Sequence, residues 1–210
     1  STGKPMNTFL VYQYDGVFRN QEEIDSETLD YSGITNNLRP GDMRYVDYDG
    51  DGRITPDDRV RMDNNDIPLF QGGANINLQW RNFDMSVLFQ GALGARVYVS
   101  AGESGNIGNY LLDIYENRWT IENPSSVHPR IANRSDQYYS GGNTYWFRSS
   151  DYLRLKNMEI GYNLPVHLAE KIGVSNLRVF ANGLNLLTWD KLKVYDPESN
   201  NSTGQYYPQA

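Results

Sequence analysis

The chain has 210 residues, a formal net charge of −7, 16 Tyr, 4 Trp and no Cys. The acidic balance argues against a protein that binds the phosphate backbone of nucleic acids, and the lack of cysteine excludes disulfides and thiol chemistry within this chain. No stretch approaches the roughly 18 apolar residues of a transmembrane helix, but a membrane-crossing strand needs only about ten alternating residues. The excess of Tyr and Trp suits saccharide stacking, a binding surface or a membrane interface.

The first part of the chain predicts short elements joined by loops. Residues 9–18 are rich in β-formers, and the acidic residues 21–29 are expected to form a short surface helix. Residues 31–41 are rich in Gly, Asn and Pro and predict a loop. Met43-Arg44-Tyr45-Val46 has no helical periodicity and is expected to be extended.

Residues 47–58, Asp-Tyr-Asp-Gly-Asp-Gly-Arg-Ile-Thr-Pro-Asp-Asp, match a twelve-residue calcium loop of EF-hand type. Carboxylates stand at loop positions one, three, five and twelve, and glycine stands at position six, where the chain must turn sharply. The predicted ligands are the backbone carbonyl of Arg53 and the side-chain carboxylates of four residues: Asp47, Asp49, Asp51 and Asp58. Ile54 is expected to tie the loop to a core. The competing interpretation is a solvated acidic turn.

The residues beside this loop favour a structural role for the metal. Thr55 is expected to cap a short helix that begins at Pro56, with Asp58 reaching back to the cap. No helix is predicted before the loop, so there is no helix pair that calcium could open. We therefore interpret the site as a calcium clip rather than a calcium sensor.

The clearest predicted element is a β-hairpin over residues 74–90 with a tight turn at Arg81-Asn82. Apolar side chains alternate with Asn, Gln, Asp and Ser along both strands, so one face of the hairpin is apolar and the other polar. A soluble sandwich and a porin-like wall both produce this pattern. The polar face carries few Lys or Glu residues, which favours a wet lumen over open solvent.

The second half of the chain predicts two further strands and two helices. Residues 109–119 are the best helix candidate, and Pro165 to Ile172 is expected to be a short helix that stops at Gly173. The strand over residues 151–163 changes its apolar phase, and a β-bulge near Lys156-Asn157 would restore a single apolar face. A final strand is expected over residues 176–187, and the connections 91–108 and 122–143 are expected to be long loops.

The sequence shows no recognisable motif of catalytic residues. His128 and His167 have no partners at zinc-ligand spacing and are predicted to lie on the surface. There is no nucleophile elbow, and the glycine-rich residues 102–108 lack the ending of a phosphate-binding loop. Paired carboxylates of the kind used in glycoside hydrolysis stay open as an alternative, but the acidic residues cluster in the acidic loop and in turns, where solvation or metal binding explains them. We predict that the protein is not an enzyme.

Several segments, in this order, resemble the SusC/RagA-type TonB-dependent outer-membrane transporters of Bacteroidota. The similar segments cover nearly the whole chain: Gly3-Lys4-Pro5, Tyr12-Gln13-Tyr14-Asp15-Gly16-Val17-Phe18, Gly41-Asp42-Met43-Arg44-Tyr45 with the Asp-rich loop, Asn82-Phe83-Asp84, Phe89-Gln90-Gly91, Asn117-Arg118-Trp119-Thr120, Glu122-Asn123-Pro124, Pro129-Arg130, Tyr152-Leu153-Arg154-Leu155-Lys156-Asn157, Gly161-Tyr162-Asn163-Leu164-Pro165 and Asn182-Gly183-Leu184-Asn185-Leu186-Leu187-Thr188.

The resemblance implies an all-β fold: residues 1–210 would be a C-terminal segment of a large transmembrane antiparallel β-barrel, with long extracellular loops and short helices. Barrels of this kind have about 22 strands, whereas the chain predicts about six to eight. The plug, the N-terminal regions and the last strand are therefore expected to lie outside these residues. The loops 91–109 and 122–143 are expected to be extracellular.

The resemblance also implies a function and a set of partners. The parent protein is expected to import oligosaccharides or peptides across the outer membrane, powered through the TonB complex. A SusD-like surface lipoprotein would act as its lid, and two transporter–lipoprotein pairs would form a dimer. Lipid of the outer membrane would contact the apolar strand faces, and the glycan or peptide ligand would meet the polar faces and loops.

Two other hypotheses fit parts of the same sequence. A soluble, secreted, calcium-stabilised β-domain that binds carbohydrate would use the same Tyr and Trp content and the same acidic loop. A dockerin-like interaction module would need two such loops, and the sequence contains one.

Overall fold

The computed structural model describes Gly3 and residues 8–99, 112–132, 142–194 and 196–198. Within these residues the elements are mainly strands: β1 Leu10–Val11, β2 Tyr14–Val17, β3 Met43–Tyr45, β4 Val60–Arg61, β5 Phe70–Trp80, β6 Phe83–Leu93, β7 Arg96–Tyr98, β8 Phe147–Ser149, β9 Tyr152–Asn163 and β10 Arg178–Asp190. The helices are short: α1 Gln21–Asp25, α2 Leu112–Asn117, α3 Val166–Ala169, and 3-10 turns at Pro56–Asp58, Thr144–Trp146 and Glu170–Ile172. The predicted all-β class is confirmed.

No helix among these described residues is long and apolar enough to cross a membrane.

The chain divides into two compact units. One consists mainly of Ser1–Asn65 and Val97–Arg148, and the other mainly of Asp66–Arg96 and Ser149–Asn201. The first unit contains small two-stranded sheets, β1 with β4 and β2 with β3, around a buried cluster. The buried members of that cluster are mostly aromatic or branched: Tyr12, Phe18, Tyr31, Ile34, Met43, Tyr45, Ile54, Ile114 and Trp146.

The predicted strand over residues 9–18 is interrupted. Tyr12 donates its backbone N–H to the carbonyl of Gly142 at 3.1 Å and accepts from the N–H of Thr144 at 3.0 Å. These bonds replace a regular ladder at Tyr12 and separate β1 from β2. Residues 9–18 have β-propensity throughout, but hydrogen bonds to residues 142–144, far along the chain, divide them into two short strands.

The second unit is one antiparallel sheet of four long strands in the order β10-β9-β6-β5. The β5–β6 hairpin turns at Arg81, whose φ is 53°, and its register pairs Trp80 with Phe83. This confirms the predicted hairpin, although the strands extend further than predicted and Gly91 still belongs to β6. The two outermost strands, β5 and β10, have 11 and 13 residues.

The predicted bulge in β9 is confirmed. Leu88 pairs with Asn157 and Phe89 pairs with Leu155, so Lys156 is the extra residue. Because side chains alternate with period two, one inserted residue returns Met158 and Ile160 to the same face as Leu155. A second irregularity lies between Leu184 and Leu187 of β10.

The predicted helices are found where their capping signals place them. Asn20 caps α1, and Thr55 forms a capping box with Asp58 around the turn that begins at Pro56. The 3-10 turn that follows α3, Glu170–Ile172, ends at Gly173, which adopts the left-handed conformation with φ 78°. The helix predicted over residues 109–119 is shorter, Leu112–Asn117, and residues 109–111 lie outside the described residues.

Candidate functional site

The acidic loop gathers three of its four predicted carboxylate ligands. One oxygen from each of Asp47, Asp49 and Asp58 lies within 4.8 Å of the others. Calcium binds oxygen at about 2.3–2.6 Å, so two ligands of the same ion lie no more than about 5 Å apart. The three carboxylates therefore fit one calcium ion.

Backbone hydrogen bonds shape the loop around these carboxylates. Asp47 accepts from the N–H groups of Gly50 and Gly52 at 2.7 and 2.8 Å. The fully buried Asp58 accepts from the N–H groups of Tyr48 and Thr55, both at 2.7 Å. Gly52 takes φ 83°, so the sharp turn predicted at loop position six is present.

The pKa values of Asp47 and Asp49 are shifted in opposite directions. The hydrogen bond from the Gly52 N–H is the largest influence on Asp47 and lowers its pKa. At Asp49 the bond from the Asp51 N–H also lowers the pKa, but desolvation and repulsion by Asp51, Asp58 and Asp47 outweigh it, so the pKa is raised. A cation between these groups would relieve that repulsion.

The fourth predicted carboxylate, that of Asp51, is not part of this cluster. Asp51 is exposed, and its Oδ1 accepts the backbone N–H of Arg53 at 2.8 Å. The Arg53 guanidinium turns away from the loop to Asp30, with Nε 3.3 Å from Oδ2. The metal-binding roles of Asp51 and of the Arg53 carbonyl remain predictions.

The loop is attached to the first unit through Ile54 and the segment at Asp30. Ile54 is fully buried, as its anchoring role requires, and its N–H donates to the Asp30 carbonyl at 2.8 Å. The Asp30 N–H donates to the Gly52 carbonyl at 3.0 Å. Gly33 permits this approach, because a Cβ there would lie 2.8 Å from the Ile54 carbonyl oxygen. Nothing local in the sequence identifies Asp30 as the partner.

A second cluster joins three of the segments on which the resemblance rests. Arg130 donates from Nε to the buried carboxylate of Asp42 at 2.6 Å, and its backbone N–H donates to Gly41 at 2.8 Å. The Trp119 indole N–H donates to the Arg19 carbonyl at 2.9 Å. A Cβ on Gly41, whose φ is 89°, would lie 2.6 Å from the Trp119 ring. Gly41 permits the close approach of the Trp119 ring, and the Arg130–Asp42 pair joins the two segments beside it.

The four-stranded sheet has one apolar face, and that face is exposed in this chain. Its exposed side chains come from all four strands: Phe70, Ile76, Leu78, Trp80, Phe83, Leu93, Leu153, Ile160, Val179, Leu187 and Trp189. Monomeric soluble proteins rarely expose apolar patches of this extent. The face therefore requires an apolar neighbour.

Aromatic side chains lie towards both ends of the apolar face. Trp80, Phe83 and Tyr162 form a row at the hairpin end, with ring centroids 6.5 Å apart for Trp80–Phe83 and 4.7 Å apart for Phe83–Tyr162. Phe70 and Trp189 lie towards the opposite end. Membrane-spanning strands carry such aromatic girdles at both interfaces.

The opposite face of the sheet is mainly polar, although exposed apolar side chains such as Phe180 also lie on it, and it carries ion pairs across strands. Arg178 of β10 contacts Asp84 of β6 and Glu159 of β9, the latter at 2.7 Å. It reaches Asp84 over Gly161, where a Cβ would lie 2.6 Å from both Arg178 Nε and Asp84 Oδ2. Gly161 thus keeps the path of this ion pair open. Sequence periodicity predicted the polar face but not this pairing.

The histidine prediction is correct for one residue only. His167 is exposed, whereas His128 is half-buried and its Nδ1 lies 2.8 Å from the Tyr145 hydroxyl. Across the part of the chain that the structure describes, the acidic loop is the one cluster of potential metal ligands.

The chain is similar in sequence to TonB-dependent receptors of Formosa agariphila. TonB-dependent receptor P3 is 32% identical over 200 residues, covering 94% of this chain and 19% of the receptor. TonB-dependent receptor P26 is 31% identical over 207 residues, covering 95% and 20%. The chain thus spans about a fifth of the length of these relatives. No family model matches it.

Solved structures share the fold. The RagAB peptide transporter superposes with a TM-score of 0.64 at 22% identity, covering 93% of this chain and 21% of that chain. The RagAB peptide importer in its open-open state gives a TM-score of 0.60 at 22% identity, covering 94% and 20%.

These findings define the class: the chain is a segment of a TonB-dependent receptor. More particularly, the fold that it shares with RagAB agrees with the SusC/RagA-type resemblance seen in the sequence. Its relatives are receptors and transporters rather than enzymes, in agreement with the prediction.

Proposed function

We propose that this chain forms part of the β-barrel wall of an outer-membrane importer. The observation that carries the proposal is the exposed apolar face of the four-stranded sheet, with aromatic side chains towards its two ends. The strands β5, β6, β9 and β10 have 11 to 13 residues, which is enough to cross a bilayer at the usual tilt. Lipid would cover the apolar face, and the polar face would line the lumen.

The two outer strands of the sheet support the same proposal. In the described residues β5 and β10 each have a neighbour on one side only. Long unpaired edges invite aggregation unless further strands or a cover protect them. A barrel supplies neighbouring strands on both sides and lipid on one face, whereas a soluble β-sandwich would need a second layer to cover the apolar side chains.

The proposed activity of the whole protein is TonB-dependent uptake of oligosaccharides or peptides. A SusD-like surface lipoprotein would form the lid, the TonB complex would supply energy, and transporter–lipoprotein pairs would dimerise. The peptide alternative is supported by the likeness of fold to a transporter whose name specifies peptides. The polar sheet face carries both amide and charged side chains, which suits either class of ligand.

Uptake by cells tests this activity. Cells that carry the full-length gene, and matched cells with the gene deleted, would be given isotope-labelled oligopeptides or oligosaccharides of the same size range. We expect gene-dependent uptake of one class that stops when a protonophore collapses the proton-motive force. Uptake that is equal in the two strains for both ligand classes would contradict the proposal.

We further propose that Asp47, Asp49, Asp51, Asp58 and the Arg53 carbonyl hold a structural calcium ion that clips an extracellular loop. The clustering of three carboxylates and the burial of Ile54 support this role. Bound calcium would tie residues 47–58 into one rigid turn and would leave the barrel strands unaffected.

Limited proteolysis tests the clip. Chelation of calcium should increase cleavage near residues 47–58 without changing cleavage of the strands. Asp49→Asn should reproduce this effect, because Asp49 is exposed and its described bond is only to the Asp51 N–H at 3.2 Å. Asp57→Asn, an exposed neighbour outside the carboxylate cluster, is the matched control. Unchanged cleavage with and without chelator would refute the clip.

A further inference from the structure

Three side chains of β9 hold one carboxylate above the polar face of the sheet. Glu198 accepts from the Tyr152 hydroxyl at 3.3 Å, from Arg154 Nη1 at 3.0 Å, and from Lys156 Nζ at 2.7 and 3.0 Å. Tyr152, Arg154 and Lys156 are spaced two residues apart, so they project on the same side of the strand. Together they form a carboxylate clamp, and a residue of the same chain fills it.

Arg154 is the centre of the clamp and is buried. Its Nε donates to Thr188 Oγ1 at 2.9 Å and its Nη2 donates to Asp196 at 2.8 Å. The two cations of β9 thus face the two anions Asp196 and Glu198, and the cluster is neutral. A buried guanidinium is tolerated when its donors are satisfied, and removing one partner is strongly unfavourable.

The acidic residues belong to a segment that returns over the sheet after β10. We call its described residues, 191–194 and 196–198, the strap. Its base is fixed to the sheet because Leu192 is buried and Lys191 pairs with Asp151 at 3.0 Å. Its far end is held through Asp196 and Glu198. The base is therefore held by apolar burial together with one ion pair, whereas the contacts of the far end are mainly charged.

The strap also forms one wall of a partly open cavity. A space of about 270 Å³ lies between Pro197 and Glu198 on one side and both polar and apolar residues of the sheet and its margin on the other. The polar lining includes Gln71, Gln90, Ser150 and Tyr152. Glu198 belongs to both the clamp and the cavity wall, so releasing the carboxylate would also open the cavity.

We propose that the strap is a latched cover over part of this cavity, held in place by the carboxylate clamp of β9, and that its release widens the cavity. Breaking the charge contacts at Asp196 and Glu198 frees the far end while Leu192 retains the base. The latch goes beyond the proposed transport function, because it depends only on contacts within the second unit.

Hydrogen exchange of the full-length protein tests the latch. The double variant Asp196→Asn/Glu198→Gln keeps side-chain size and removes both negative charges. We expect exchange in the strap to rise by about tenfold or more while exchange in β10 stays unchanged. Glu170→Gln, on an exposed turn of the same unit, is the matched control and should leave both unchanged.

Thiol labelling gives a second measurement that distinguishes opening from general loosening. Ser150→Cys places a thiol at a buried position of the cavity wall. Its labelling should be slow in the otherwise unchanged protein and about tenfold faster with the double variant. Unchanged exchange and labelling in the double variant would overturn the proposal. Faster exchange throughout β9 and β10 would also overturn it, because the contacts would then stabilise the sheet rather than latch the strap.

Discussion

Placing a charge on each face of β5 in turn should have very different costs. Ile76 lies on the apolar face, and its neighbour Asn77 lies on the polar face. We expect Ile76→Arg to destabilise the full-length protein in a bilayer strongly and Asn77→Arg to have little effect. The pair differs by one position along the strand, so backbone propensity and depth are nearly matched.

The magnitude follows from the position of Ile76 along β5. Eleven residues at about 3.3 Å each give a strand of about 36 Å, or about 28 Å along the membrane normal at a tilt of about 40°. Ile76 lies four residues from Trp80, hence about 10 Å from that aromatic row and near the middle of a band about 25 Å tall. Arginine at the midplane of a lipid face costs about 2–4 kcal/mol.

Reversible unfolding of the full-length protein in phospholipid vesicles measures this difference as a change in the free energy of unfolding. Asn77→Arg should change it by about 1 kcal/mol or less, because the side chain faces water. Equal costs at the two positions, or a larger cost at Asn77, would refute the assignment of the apolar face to lipid.

Two further substitutions test contacts within the units. Tyr31→Phe removes the hydroxyl that accepts the Tyr45 N–H at 3.0 Å in the buried cluster of the first unit. Amide exchange at Tyr45 should therefore accelerate by about ten- to a hundredfold, equivalent to about 1–3 kcal/mol. Unchanged exchange would show that the bond does not stabilise the core. Gly161→Ala should abolish the interaction free energy between Asp84 and Arg178, as measured by a double-mutant cycle, because the new Cβ occupies the path of their ion pair. An interaction free energy that persists in the alanine variant would contradict this geometry.

Sequence patterns correctly predicted the elements whose structure is determined by neighbouring residues. The β5–β6 hairpin follows from strict alternation on both sides of Arg81-Asn82. The bulge at Lys156 follows from the change of apolar phase within β9, because only an inserted residue keeps one face apolar. The turn at Pro56 follows from its capping box. In each case the residues that determine the structure are adjacent in sequence.

Contacts between distant segments could not be predicted in the same way. The calcium-type loop is held by Asp30, and β1 is separated from β2 by bonds to residues 142–144. The Arg154–Glu198 pair joins residues 44 positions apart. Most of these contacts are made by backbone groups or by common polar side chains, and no periodicity marks them, so only the folded chain identifies them.

The central claim, that one face of this sheet meets lipid and the other meets water, is tested most directly by spin-label accessibility along β5. Single labels at positions 74–80 of the full-length protein in bilayers would be exposed in turn to oxygen and to a water-soluble nickel chelate. We predict oxygen maxima at Ala74, Ile76, Leu78 and Trp80 and chelate maxima at Asn75, Asn77 and Gln79. Accessibility to both reagents without a period of two, or with the opposite phase, would contradict the claim.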